Sequence, residues 1–110
     1  MFEIRKGVIY HTRGDTADFD INVKIEGETI TNYSAILSVK RNVKDTDYLF
    51  QRYADEDGHI HISHDTTQDL KFGDYCYDIE IHIFDETAEG RYITVGPYPY
   101  HLLADVTVER

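Results

Sequence analysis

The chain has 110 residues and sets 21 Asp and Glu against 11 Lys and Arg, a formal net charge of −10 at pH 7. That length suits one domain over residues 1–110, able to bury about two-thirds of its unfolded surface without metal or disulfide staples. The acidic balance argues against nucleic acid and anionic membrane surfaces as partners, because phosphate contacts need a basic footprint. Cys76 is the single cysteine, which excludes an internal disulfide. The opening Met1-Phe2-Glu3-Ile4-Arg5-Lys6-Gly7 lacks the apolar stretch of a secretory signal, and no apolar run approaches membrane-spanning length. A protein made in the cytoplasm and not exported by a signal peptide is expected.

In chain order, strand patterns recur and helical periodicity is missing. The first dozen residues either pair as an extra strand or stay loose. Ala17, Phe19, Ile21, Val23 and Ile25 alternate with Asp18, Asp20, Asn22 and Lys24, which predicts one half-buried strand with a wet face. Tyr33, Ala35, Leu37 and Val39 form a second apolar row, and the polar run Arg41 to Thr46 reads as a turn. Asp47 to Tyr53 is apolar on both parities, so it is expected to be a strand covered on both faces or lying at an interface. Ala54 to Gly58 is a turn signal, followed by a short strand whose Ile60 and Ile62 face inward.

Asp65 to Leu70 suits one helical turn. Next comes the longest alternation, with Tyr75, Tyr77, Ile79, Ile81 and Ile83 on one face and Cys76, Asp78, Glu80 and His82 on the other. Cys76 is therefore expected to face away from the core. Asp85 to Gly90 reads as a hairpin connection, and Arg91 to Val95 with Tyr98 to Leu103 complete the strands. Pro97 and Pro99 place the start of the last strand at an edge or a bulge, since proline cannot donate to a ladder.

About seven to nine short strands is the count of a β-sandwich. Leu70 and Gly73 followed by Tyr75 carry the spacing of a tyrosine corner, in which a buried phenol bonds back to the backbone of the preceding connection. The predicted fold is all-β, an immunoglobulin-like antiparallel sandwich. Its inner rows include Phe19, Ile21, Val23, Leu37, Val39, Ile60, Ile62, Ile79 and Ile81.

Chemistry-bearing clusters are sparse. His59 and His61 share a strand face with His64 nearby, but they lack the ligand count of a closed zinc site and read as solvent-facing positions. Asp55, Glu56 and Asp57 lack the twelve-residue spacing of a calcium loop, and Asp15, Asp18 and Asp20 read as ordinary solvation. No nucleophile elbow, phosphate cradle or metalloprotease motif occurs, so neither an enzyme nor a cofactor or metal is expected. Nine Tyr and five Phe exceed what the inner rows account for. Aromatic residues are enriched where proteins meet partners, which points to a docking patch at Tyr48, Phe50 and Tyr53 or at Tyr98 and Tyr100. The competing reading has them capping the sandwich or pairing across strands.

Along the chain come Arg13-Gly14-Asp15-Thr16-Ala17-Asp18-Phe19-Asp20-Ile21, Ile30-Thr31-Asn32-Tyr33-Ser34-Ala35, and Asp57-Gly58-His59-Ile60-His61-Ile62. The stretch from Asp65 through Leu70, Gly73, Tyr75, Tyr77, Asp78 and Ile79 follows, and then the ending Ala104-Asp105-Val106-Thr107. In this order, these residues resemble the N-terminal domain of the phage baseplate upper protein family. The resemblance implies an immunoglobulin-like sandwich that seats a receptor-binding fibre on a tail baseplate. Its implied partners are phage tail or baseplate proteins, with a homo-oligomer allowed. Its implied location is the virion, or the bacterial cytoplasm when expressed from a prophage. Family members usually continue into a long fibre, whereas this sequence ends at Arg110. The alternative expectation is a small sandwich that binds carbohydrate or metal through exposed Tyr and His residues.

Overall fold

Period-two alternation makes most of this chain strand, because it gives each strand one face to bury and one to wet. The computed structural model describes residues 1–84 and 90–105. The strands are β1 (Phe2–Arg5), β2 (Val8–Thr12), β3 (Ala17–Asp20), β4 (Val23–Ile25), β5 (Glu28–Ile30), β6 (Tyr33–Lys40), β7 (Phe50–Tyr53), β8 (His59–Ile62), β9 (Gly73–Ile83) and β10 (Arg91–Leu103). A single helical turn, α1 (His64–Thr67), precedes β9.

One layer is a six-stranded sheet in the order β1-β2-β10-β9-β6-β7. The other is made of two antiparallel pairs, β3 with β8 and β4 with β5. Between the layers lie Ile9, Leu37, Val39, Tyr77, Tyr100 and Leu102 of the large sheet, and Ala17, Ile60 and Ile62 of the β3–β8 pair. Phe19, Ile21 and Ile79 pack half-buried against them. A smaller cluster of Val23, Ala35, Ile81 and Ile83 sits beneath the β4–β5 hairpin. An all-β sandwich is what the chain forms.

Several details depart from the expectation. The described residues hold ten strands rather than seven to nine, and β2 pairs with β10 in parallel. The opening residues are ordered as the β1–β2 hairpin, and β2 supplies Ile9 and His11 to the interior. The expected strand over residues 17–25 is two strands. The reason is that β8 begins only after the Asp55–Gly58 turn, so β3 loses its partner beyond Asp20. Ile21 instead donates its N–H to the Gly58 carbonyl (2.8 Å), and Val23 starts a new pairing with Ile30. The alternation carries through because both pieces present the same face to the large sheet.

The segment from Asp47 is strand only from Phe50, since Tyr48 lies outside the ladder with the Lys40 ammonium 4.9 Å from its ring centre. Arg91–Val95 and Tyr98–Leu103 form one strand with a register shift between Val95 and Tyr98. Proline 97 sits within that shift, where no ladder donor is needed. The expected connection at residues 85–89, and the Val106 and Thr107 of the familiar ending, fall outside the described residues.

Candidate docking surfaces

Tyr75 stands half-buried on β9, and its phenol donates to the Lys71 carbonyl at 2.5 Å. Leu70 packs against the core and Gly73 opens the strand, so the corner's parts are placed as their spacing implied. The bond itself is exposed to solvent, unlike the buried phenol expected. The buried phenol is elsewhere. Tyr100 is 1 % exposed, which removes it from the predicted docking patch and makes it core. It lies where β10 is flanked by β9 on one side and β2 on the other.

Its hydroxyl meets His11 Nδ1 at 2.6 Å, and His11 Nε2 meets the Asp15 carbonyl at 2.7 Å. A carbonyl only accepts, so Nε2 carries the proton, and Nδ1 accepts from the Tyr100 hydroxyl. The neutral imidazole is thereby fully satisfied. Burial holds the His11 pKa below its ordinary value and pushes the Tyr100 phenol up. Nothing in the sequence singled out His11, although its shared parity with Ile9 was available as a signal. Tyr77 donates to the Gly7 carbonyl at 2.5 Å, and burial raises its pKa to about 12.

Upstream of Tyr100 the surroundings change. Along Arg91–Val95, β10 pairs with β9 but has no second neighbour among the described residues, because β2 joins it only at Tyr100. The β4–β5 hairpin packs over Ala35 of β6 and Ile81 and Ile83 of β9, and its Ile25, Glu26, Glu28 and Ile30 line a shallow pocket together with Arg91 at the start of β10. Ile93 and Val95 point to the inner side of the sheet, in register with Ile81 and Ile79, yet keep 38 % and 39 % of their surface in water. Tyr98 keeps 38 % while its ring packs beside Tyr77 and the Gly7 backbone. The segment Arg91 to Pro99 contains no carboxylate. A partly exposed apolar row of Ile93, Val95 and Tyr98 therefore runs along a stretch of β10 that has β9 as its one strand neighbour among the described residues.

The opposite face of the large sheet carries the other exposed aromatics. Tyr53 (74 % exposed), Tyr48 and Tyr92 rim a groove of about 400 Å³ whose floor includes Gln51, Asp78 and Glu80. Tyr92 stacks on His82 at 4.1 Å. Phe50, by contrast, faces inward and meets the Tyr100 ring edge-on at 6.2 Å. Of the five residues predicted to form a partner interface, Tyr48, Tyr53 and Tyr98 are exposed, Phe50 is half-buried and Tyr100 is interior. The exposed ones do not share a face, since Tyr53 points outward and Tyr98 inward. Cys76 is half-buried on the outer face, where its thiol points to the Lys40 carbonyl and burial raises its pKa.

On the wet face of the β3–β8 pair, His59 bridges Asp20 (2.7 Å) and Asp18 (2.9 Å), and His61 reaches the same Asp18 oxygen at 2.7 Å. The hydrogen bonds to Asp20 and Asp18 raise the His59 pKa, and those from His61 and His59 lower that of Asp18. Direct cross-strand register, Asp18 with His61 and Asp20 with His59, produces this cluster. His64 lies apart, bonded to the Gly14 carbonyl. Comparison with protein-family models, with curated proteins and with solved structures finds no match to this chain.

Proposed function

We propose that this chain is a non-enzymatic structural module of a phage or prophage tail, which docks into a baseplate-type assembly through protein–protein contacts. The tail context rests on the sequence resemblance. The docking role is supported by one observation: the partly exposed row of Ile93, Val95 and Tyr98, on a stretch of β10 that has no second strand neighbour among the described residues. Sheet edges with exposed apolar side chains invite pairing, and proteins that must stay apart blunt them with charge. Tyr92–Val95 itself carries no charged residue. The module would work in the virion, or in the bacterial cytoplasm before assembly.

Co-expression with the proteins encoded beside it, followed by affinity capture and mass determination, tests the reading. A defined complex with a tail protein, burying about 1,200–2,000 Å², is the expected result. Failure to capture any of them would remove the reading's support.

The outer-face groove favours a second reading, a site for a neutral oligosaccharide. Its volume falls within the range of small-ligand sites, about 300–1,000 Å³. Tyrosine rings suit the C–H faces of sugar rings, while Gln51, Asp78 and Glu80 supply donors and acceptors for hydroxyls. Saturable calorimetric binding of an oligosaccharide, lost in Tyr53→Ala and Tyr92→Ala, would support it. Absence of binding across a panel of neutral oligosaccharides would exclude it.

A further inference from the structure

We propose that the β3–β8 ribbon is a pH-sensitive element of the fold, clasped on its outer face by His59 in its imidazolium form and loosened when that imidazole loses its proton.

Hydrogen-bond chemistry carries the assignment. His59 Nδ1 lies 2.7 Å from an Asp20 carboxylate oxygen, and its Nε2 lies 2.9 Å from one of Asp18. A carboxylate only accepts, and a neutral imidazole has one N–H to give. Both contacts are therefore made only when both ring nitrogens carry protons. His61 differs, since it meets Asp18 through Nδ1 (2.7 Å) and its neutral form can supply that one donor. Cross-strand register sets Asp20 opposite His59 and Asp18 opposite His61, so pairing of the strands is what gathers the cation and its two anions. Loss of the His59 proton leaves a nitrogen lone pair facing a carboxylate oxygen, and the ring must give up one of its partners.

The ribbon has few other outer fastenings. Among the described residues β3 and β8 form a sheet of two strands, each four residues long, and neither strand carries Lys or Arg. Apolar contact through Ala17, Ile60 and Ile62 holds the inner face, which leaves the outer face to these charges. The neighbouring polar groups are committed elsewhere. Asp55, in the turn before β8, accepts from the backbone N–H groups of Asp57 and His59, at 2.9 Å each, and Glu56 and Asp57 of that turn are exposed. Arg52, on β7 beside β8, donates to the Gln51 carbonyl and the Thr66 hydroxyl. His64 turns to the Gly14 carbonyl. The Tyr33 hydroxyl donates to the Ile21 carbonyl, and burial, with the charges of Asp20 and Asp55, raises its pKa and keeps it neutral.

Hydrogen bonds to Asp20 and Asp18 raise the His59 pKa, so the clasp is complete below about pH 6.5 and is lost as the pH rises through the folded value. On the acid side, hydrogen bonds from His61 and His59 lower the Asp18 pKa, so that arm fails only as the pH falls through the lowered value. The ribbon is tightest between these limits. Because the cluster faces water, loss of the clasp should raise the open population of the ribbon by about two- to fivefold.

Amide hydrogen exchange read by NMR tests this at about pH 6.5 and about pH 8.5, as protection factors in which the intrinsic pH dependence cancels. The ladder amides of β3 and β8 should lose about two- to fivefold in protection at the higher pH, while those between β9 and β10 keep theirs. His59→Gln, neutral throughout, should remove the difference, and His61→Gln should retain it. Both side chains face water, so these variants leave the core intact. Nitrogen shifts of the His59 ring should show both positions protonated at the lower pH. Equal ribbon protection at the two pH values would overturn the inference. So would a difference that survives His59→Gln, or one that β9 and β10 share equally.

Discussion

Replacing Tyr100 by Phe removes one oxygen from the centre of the molecule and leaves the surrounding rings in place. The edge-on contacts of Tyr100 with Phe50 and Tyr77, at 6.2 and 6.3 Å between ring centres, do not involve the hydroxyl. What is lost is the donor to His11 Nδ1. His11 is fully buried, so water cannot replace that donor. Nor can the imidazole switch tautomer, because Nε2–H is committed to the Asp15 carbonyl. The variant thus strands a buried acceptor, a loss of about 1–3 kcal/mol. At about 4–8 °C per kcal/mol for a domain near this size, 2 kcal/mol corresponds to a fall in Tm of about 10 °C. With a urea slope of about 1–3 kcal/mol per M, the midpoint should drop by about 1 M. Urea and thermal unfolding followed by circular dichroism read both. A midpoint equal to wild type would refute the assignment of a neutral, satisfied His11 held by Tyr100.

Tyr75→Phe removes a bond of the same kind at the surface, where water can serve the Lys71 carbonyl, so it should cost about 0.5 kcal/mol or less; a loss as large as that of Tyr100→Phe would contradict the burial argument. The pH dependence follows from two histidines with opposite signs. His11 has its folded pKa below the ordinary 6.5, so its contribution to stability is complete above about pH 6.5 and is lost as the pH falls from there through the folded value. His59 has its folded pKa raised by Asp20 and Asp18, so its contribution is present below about pH 6.5 and disappears as the pH rises through the folded value. An NMR titration should place the two imidazole midpoints on either side of 6.5, and a shared midpoint would sink both assignments. Gly58→Ala should cost about 2–4 kcal/mol, because Gly58 has φ +79° and an added Cβ would strike the Tyr33 hydroxyl and lie 2.7 Å from the Ile21 carbonyl oxygen. Wild-type stability in that variant's denaturation curve would show that the turn can relax.

Parity along each strand was legible in the residues themselves. Ile60 with Ile62, Leu37 with Val39, and Tyr77 with Ile81 and Ile83 all point inward as their alternation required, because the pleat turns successive side chains to opposite faces wherever the strand lies. The all-β class followed from the same local geometry, and so did the spacing that lets Tyr75 reach the Lys71 carbonyl. Which inward faces are covered was not legible. Ile93, Val95, Tyr98 and Tyr100 all face the inner side of the sheet, yet only Tyr100 is interior, since β2 flanks it and the main core lies over it. The role of His11 was not legible either, because its two hydrogen-bond partners, one of them 89 positions away in the chain, meet it only in the fold. The groove beneath Tyr53 and Tyr92 likewise needs β7, β6, β9 and β10 side by side. Alternation is a property of each strand's own backbone, whereas coverage depends on where the second layer ends. That boundary is set by contacts between residues far apart in the chain, so it emerged only with the tertiary structure.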